Sequence, residues 1–230
     1  MEAFSEELLS QLESKISFEI PVFGGIPVPT SVVVTWGIMI VLVLCSIIFV
    51  RNLEMMPKRT QNVIEIIVEW LSQFLEDILG KEGKQYIPYL STVAIYIACA
   101  NLIGLFGFTP PTKDLDVTAG LAIMSIILIE YAGIKAKGTK KWVRSFAEPM
   151  ALIAPLNVLE VFIRPLSLCM RLFGNVLGAF VVMELIKMVL PFALPVPFSL
   201  YFDVFDGLIQ AYVFVFLTSL FIQEAIEVEE

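Results

Sequence analysis

Of the 230 residues 58% are hydrophobic and 17% charged, and the formal net charge is −8. The charges fall in short blocks between long uncharged runs, a composition suited to a membrane rather than to a water-soluble domain. No extended basic run is present, which speaks against nucleic acid as a partner. Cys45, Cys99 and Cys169 stand singly in apolar stretches and the chain has no histidine, so the sequence offers no metal site and no cofactor is expected.

In chain order, residues 1–30 read as an extracytoplasmic amino terminus. Phe4, Leu8, Leu9, Leu12 and Ile16 recur at helical spacing and predict a short amphipathic helix. A turn rich in proline and glycine follows, from Pro21 to Pro29. The start is acidic and the apolar run comes late, unlike a secretion signal, so no cleaved leader is expected. Residues 31–50 carry no charge, and about 20 such residues cross a hydrocarbon core about 30 Å thick. Over 61–79 a polar stripe of Asn62, Glu65, Glu69, Gln73 and Glu76 repeats every three to four residues in an otherwise apolar segment. That pattern predicts a helix lying along the membrane surface, stopped by Gly80.

Spans are predicted over 87–108 and 117–134. They are separated by Thr109 to Asp114, where paired prolines deny the backbone both a helix and a donor. Arg51, Lys58, Arg59, Lys81 and Lys84 precede this pair of spans, and Lys135, Lys137, Lys140, Lys141 and Arg144 follow it. The loop between holds only Lys113, and the amino terminus only Lys15. The positive-inside rule then puts both basic loops and the carboxy terminus in the cytoplasm and the amino terminus outside a cell membrane. Residues 156–190, between Pro155 and Pro191, would form a helix about 52 Å long. A second long helix is predicted over 198–226, and a local kink at Pro165. The expected fold is an all-α polytopic membrane protein in a single domain, 1–230. It has about five membrane helices and a surface amphipathic helix, and the last two spans form a long, strongly tilted hairpin.

Charges inside hydrocarbon cost about 2.5–3.5 kcal/mol each on insertion scales. This hairpin nonetheless holds Glu160, Arg164, Arg171, Glu184, Lys187, Asp203 and Asp206. At about 100° per residue, Glu160, Arg164 and Arg171 fall within about 40° of one another, and Asn175 lies one turn beyond Arg171. Gly174 and Gly178 border that stripe and remove side-chain bulk beside the guanidinium. Asp203, Asp206 and Gln210 fall within about 60° on the second helix, and Glu224 lies in register with Asp206. Two readings stand for the pairs Glu160 with Arg164 and Glu184 with Lys187: a functional site, or ion pairs that neutralise one another. Arg171 has no acidic residue three or four positions away and stays charged at any physiological pH, so it is the leading functional candidate.

The stretch Pro165 to Asn175, reading PLSLCMRLFGN, resembles the signature of subunit a of the F-type ATP synthases. Thr109 to Thr112 with Asp114 and Asp116, Pro57 and Gln61 at the surface helix, and Gln210 to Phe214 are similar to that family as well. The resemblance implies an ion-translocating stator that is noncatalytic within a rotary complex; no phosphate-binding glycine loop and no nucleophile–base pair is present. Its partners would be the c-ring rotor subunits, the peripheral stalk b subunits, the lipid bilayer and a transported H⁺ or Na⁺. Arg171 would stand between two aqueous half-channels and face the rotor carboxylates, with Gly174 and Gly178 allowing close approach. Asn175 would line the path and Gln210 would sit across the hairpin from Arg171. Asp203 occupies the place where relatives carry a histidine or glutamate in the outer half-channel, and Asp206 would share its work. Two carboxylates so close titrate as a pair. Glu160 is the acidic residue upstream of the arginine, whose position varies between relatives. The chain departs from the best-known proton-driven bacterial members at Phe180, where they carry an acidic residue. Two other classes remain open: a secondary transporter binding an anionic substrate through Arg171, though no matching halves are found, and a noncatalytic assembly anchor.

Overall fold

The computed structural model describes residues 16–20, 26–51, 59–146, 154–189 and 195–227. Strands β1 (Ile16–Ile20) and β2 (Ile26–Pro29) form an antiparallel hairpin. The predicted helix over Phe4 to Leu12 lies outside the described residues, and Ile16, its last expected position, is in a strand. Ile16, Phe18 and Ile20 alternate with polar neighbours at period two, and this local pattern prevails over the helical spacing.

Helix α1 (Thr30–Val50) and the amphipathic α2 (Arg59–Leu79) come next. They are followed by α3 (Ile87–Leu102), α4 (Leu115–Lys137) and the short α5 (Thr139–Ser145). Helix α6 (Ala154–Val189) runs for 36 residues with Pro165 inside it. After α7 (Pro195–Ser199) the chain makes a π-helical turn over Leu200–Asp206 and continues directly as α8 (Gly207–Ile226). Among the described residues five segments are long and apolar enough to cross a membrane. At about 1.5 Å per residue α6 is about 54 Å long, so it fits a core about 30 Å thick only by lying oblique or running partly along the interface.

Helix ends follow local chemistry. Gly80 stops α2 at φ 63° and Gly138 ends α4 at φ 77°, a left-handed region that costs glycine nothing. Helix α3 tightens into a 3₁₀ turn at Ile103–Phe106, which Gly107 closes at φ 81°. Asp114 caps α4 by accepting the Asp116 N–H, and its other oxygen accepts the Ser31 hydroxyl at 2.6 Å, tying α1 to the turn before α4.

Helix α8 is the centre of the bundle: α2, α3 and α4 pack around it, and α6 packs chiefly on α4. Leu75, Leu90, Ile97, Ile129 and Ile222 are fully buried in this core. Lipid tails are as apolar as leucine, so association rests on close packing of small residues, here Ala100, Ala122, Ala132 and Ala211. The buried hydroxyls of Thr218 and Ser219 bond back to the carbonyls of Phe214 and Val215, which removes their cost. Replacing Ile97 by alanine leaves a cavity at the α3–α8 contact and is expected to cost about 2–5 kcal/mol, read as a lowered unfolding midpoint in detergent. Helix α2 buries Leu71, Leu75 and Leu79, exposes its carboxylates on a second face, and presents Val63, Ile66, Ile67 and Trp70 on a third. That division suits an interfacial helix with protein on one side. Helix α1 is peripheral, with Ile38 its one buried residue among those described.

Candidate functional site

Leu168 and Leu172 are buried and seat α6 against α4, where the Thr118 hydroxyl lies 3.6 Å from the Cys169 sulfur. The other side of α6 is thereby turned outward. Arg171, Gly174, Asn175 and Gly178 all lie on that exposed side. Among the described residues Arg171 makes no hydrogen bond and no ion pair. A Cβ added at Gly174 or Gly178 would meet nothing within 4 Å. A guanidinium keeps its charge and presents five donors in a fixed fork. Placed outward and unpaired beside two turns without side chains, it is arranged for a group from outside the chain.

A first cavity of about 620 Å³ lies between the carboxy-terminal half of α6, the π-helical turn and the turn before α4. Asp203, Asp206, Glu184, Lys187 and Lys113 line it. One oxygen of Asp203 accepts the Ser199 hydroxyl at 2.6 Å. The other lies where a Cβ on Gly104 would come within 2.9 Å, so the carboxylate rests directly on the 3₁₀ turn that follows α3. Glu184 pairs with Lys187 at 2.8 Å, and Lys113 Nζ stands 3.4 Å from the centre of the Phe180 ring. Three carboxylates against two ammonium groups leave the lining with an acidic excess.

A second cavity, about 210 Å³, opens at the opposite end of the same helices. Its lining includes Glu130, Trp142, Asn157, Glu160, Arg164 and Glu224. The Arg164 guanidinium donates to Glu160 at 3.0 Å and to Glu224 at 2.6 Å, and lies 5.0 Å from the centre of the Phe221 ring. The Trp142 indole N–H donates to Glu130 at 3.1 Å. Asn157 bonds the Phe146 carbonyl at 3.0 Å and so ties α5 to the start of α6.

Along α6 the second cavity ends at Arg164 and the first begins at Val176. At about 1.5 Å per residue the gap is about 18 Å, and Arg171 falls within it. On the last helix the first cavity ends at Gly207 and the second begins at Glu224. Two cavities, each holding charged side chains, thus share two helices without meeting, with an outward arginine between them.

The family profile of the ATP synthase A chain matches residues 32–223. The chain belongs to this family. It is 40% identical over 200 residues to ATP synthase subunit a of Moorella thermoacetica, covering 86% of this chain and 91% of that protein. Its identity to the sodium ion specific subunit a of Propionigenium modestum is 32% over 218 residues, 88% of this chain and 75% of that one. ATP synthase subunit a 2 of a Bradyrhizobium strain is 33% identical over 94% of this chain and 96% of its own length. Family membership and the five apolar helices make the chain a multi-pass membrane component of the ion-translocating Fo sector, where the c-ring is a partner.

Of the residues singled out in the sequence, Asp203 and Asp206 come together in the first cavity, although their stretch is π-helical and a regular spacing of 100° does not hold across it. Glu160 joins Arg164 at the second cavity, so the intrahelical ion pair exists; so does that of Glu184 with Lys187. Gln210 is 5% exposed and buried on α8, and it lines neither cavity. Among the described residues no hydrogen bond joins it to Arg171. Sequence reasoning missed Glu130, Trp142 and Glu224 as partners in one cluster, and Glu184 and Lys113 as neighbours of the aspartates. A faint signal existed for Glu184: it follows Phe180 by four residues and returns a carboxylate to the same face of α6.

Proposed function

We propose that the chain is the noncatalytic stator of a rotary F-type ATP synthase, passing H⁺ or Na⁺ between two aqueous half-channels by way of rotor carboxylates. The observation that carries this reading is the pair of separate cavities, each with acidic side chains in its lining, and Arg171 between them. The first cavity is the outer half-channel, where the acidic excess around Asp203 and Asp206 gathers cations. The second is the cytoplasmic half-channel, lined by Glu130, Glu160 and Glu224 around Arg164. An ion entering from one side loads a rotor carboxylate, travels with the ring and leaves on the other side.

Arg171 favours the ionised form of each carboxylate that passes it, which promotes release of the bound ion. Its fixed charge in a low-dielectric setting also opposes a cation moving straight between the cavities. Each charge crossing about 100 mV contributes about 2.3 kcal/mol, so several ions per turn are required to drive synthesis in the attached soluble motor. Asn175 continues the polar face beside Arg171, and Gly174 and Gly178 let the rotor helix approach. Gln210 supports the hairpin behind Arg171, and the peripheral stalk b subunits hold the stator still. The basic loops place the amino terminus outside and the carboxy terminus in the cytoplasm.

The test is sidedness. In a complex whose native cysteines are replaced, Asp203→Cys should react with a membrane-impermeant thiol reagent added outside, and Glu224→Cys only with reagent on the cytoplasmic side. Reaction of both from one side would sink the two-channel reading.

A further inference from the structure

The π-helical turn that presents Asp203 and Asp206 is held by a residue of another helix. Helix α3 brings Asn101 against Gly207, the first residue after the π turn: a Cβ on Gly207 would lie 2.9 Å from the Asn101 Cβ. The Asn101 amide donates to the Gly207 carbonyl at 2.9 Å, and its oxygen accepts the Thr112 hydroxyl at 2.7 Å. Asn101 is 4% exposed and Thr112 fully buried. Because Thr112 can present its proton to the amide oxygen, the NH₂ end of Asn101 is aimed at Gly207.

A π turn is rare and occurs mostly as a short insertion inside an α-helix, often at functional sites. Here the Gly207 N–H is shared between the carbonyls of Phe202 and Val204, a junction that needs outside support. Reverting to regular α-helix would change the side-chain register across Leu200–Asp206 and swing Asp203 off Ser199 and Gly104. We propose that Asn101, oriented by Thr112, is a positioning residue that fixes the π turn and with it the placement of the Asp203 and Asp206 carboxylates on the first cavity. The proposal rests on the reading of these aspartates as ion-loading groups. The other charged groups facing them are Glu184 and Lys187 from α6 and Lys113 from the turn before α4. Asn101 itself lines this cavity, and its amide bond to Gly207 gives it a route to the aspartates through the backbone, a route that the Thr112 variants isolate because Thr112 is not in the lining.

The test measures ATP synthesis by the assembled complex in membrane vesicles against the coupling-ion concentration on the Asp203 side. Misplacement by about 1 Å can cost up to a hundredfold. Asn101→Leu is accordingly expected to raise the half-saturating concentration on that side on the order of tenfold, with a smaller change in saturated rate. The dependence on the ion at the other side should not move. Thr112→Val should shift the same curve in the same direction, and Thr112→Ser, which keeps the donor, should restore it. An assembled Asn101→Leu complex with the wild-type curve overturns the proposal. If that variant does not assemble, the Thr112 pair decides: identical curves for valine and serine overturn it, and a shift reversed by serine supports it. Asp203→Asn with Asp206→Asn is the control. If it leaves synthesis unchanged, the reading of the aspartates fails; if it abolishes synthesis while Asn101→Leu does nothing, only the positioning role fails.

Discussion

Arg171→Ala is expected to abolish ATP-driven ion pumping while the complex remains assembled, and to raise passive ion leak through the membrane sector. The two effects have one cause. The guanidinium is exposed on α6 and bonded to nothing among the described residues, so its loss removes no internal contact and should cost the subunit little stability. On the proposed mechanism it does remove the fixed charge between the two cavities, and with it the barrier to an ion crossing without rotation. Arg171→Lys should keep leak low but recover little pumping, because an ammonium lacks the planar fork that engages a carboxylate in two places. Pumping at the wild-type rate in Arg171→Ala vesicles would remove this arginine from the mechanism.

Gly174→Leu and Gly178→Leu separate rotor approach from internal packing. Nothing lies within 4 Å of a side chain added at either site, so neither substitution strains the fold. Replacing glycine inside a helix by a better helix former favours the helix by up to about 1 kcal/mol. The isolated subunit should therefore unfold no earlier than the wild type in detergent. Pumping should nonetheless fall to background if the proposed function holds, because the new side chains would stand beside Arg171 on the face assigned there to the rotor. Alanine at the same positions should reduce turnover less. If leucine at both sites left pumping intact, close approach at this face would play no part in turnover.

The split between what was legible and what was not follows from the range of the interactions involved. Apolar length, the charges around each span and the three-to-four-residue polar stripe are local, so the number of membrane helices, the surface helix ended by Gly80 and the family signature around Arg171 were all readable along the chain. The hairpin Ile16–Pro29 was missed because two short strands depend on pairing with each other. The π turn escaped because a uniform helical angle was assumed, and the turn is supported by Asn101, more than a hundred residues away in sequence. The same holds for the site. Arg171, Asn175 and the glycines share a face of one helix, and helical periodicity places them together without any other part of the fold. Which carboxylate meets Arg164, and that Glu184 and Lys113 stand around the aspartates, depends on how α4, α6 and α8 cross. The sequence by itself determined a polytopic α-helical subunit with one polar stripe around Arg171 on its longest helix. Only the tertiary structure decided that its polar residues divide into two separate cavities, because helix crossing is set by packing between distant side chains that no local pattern records.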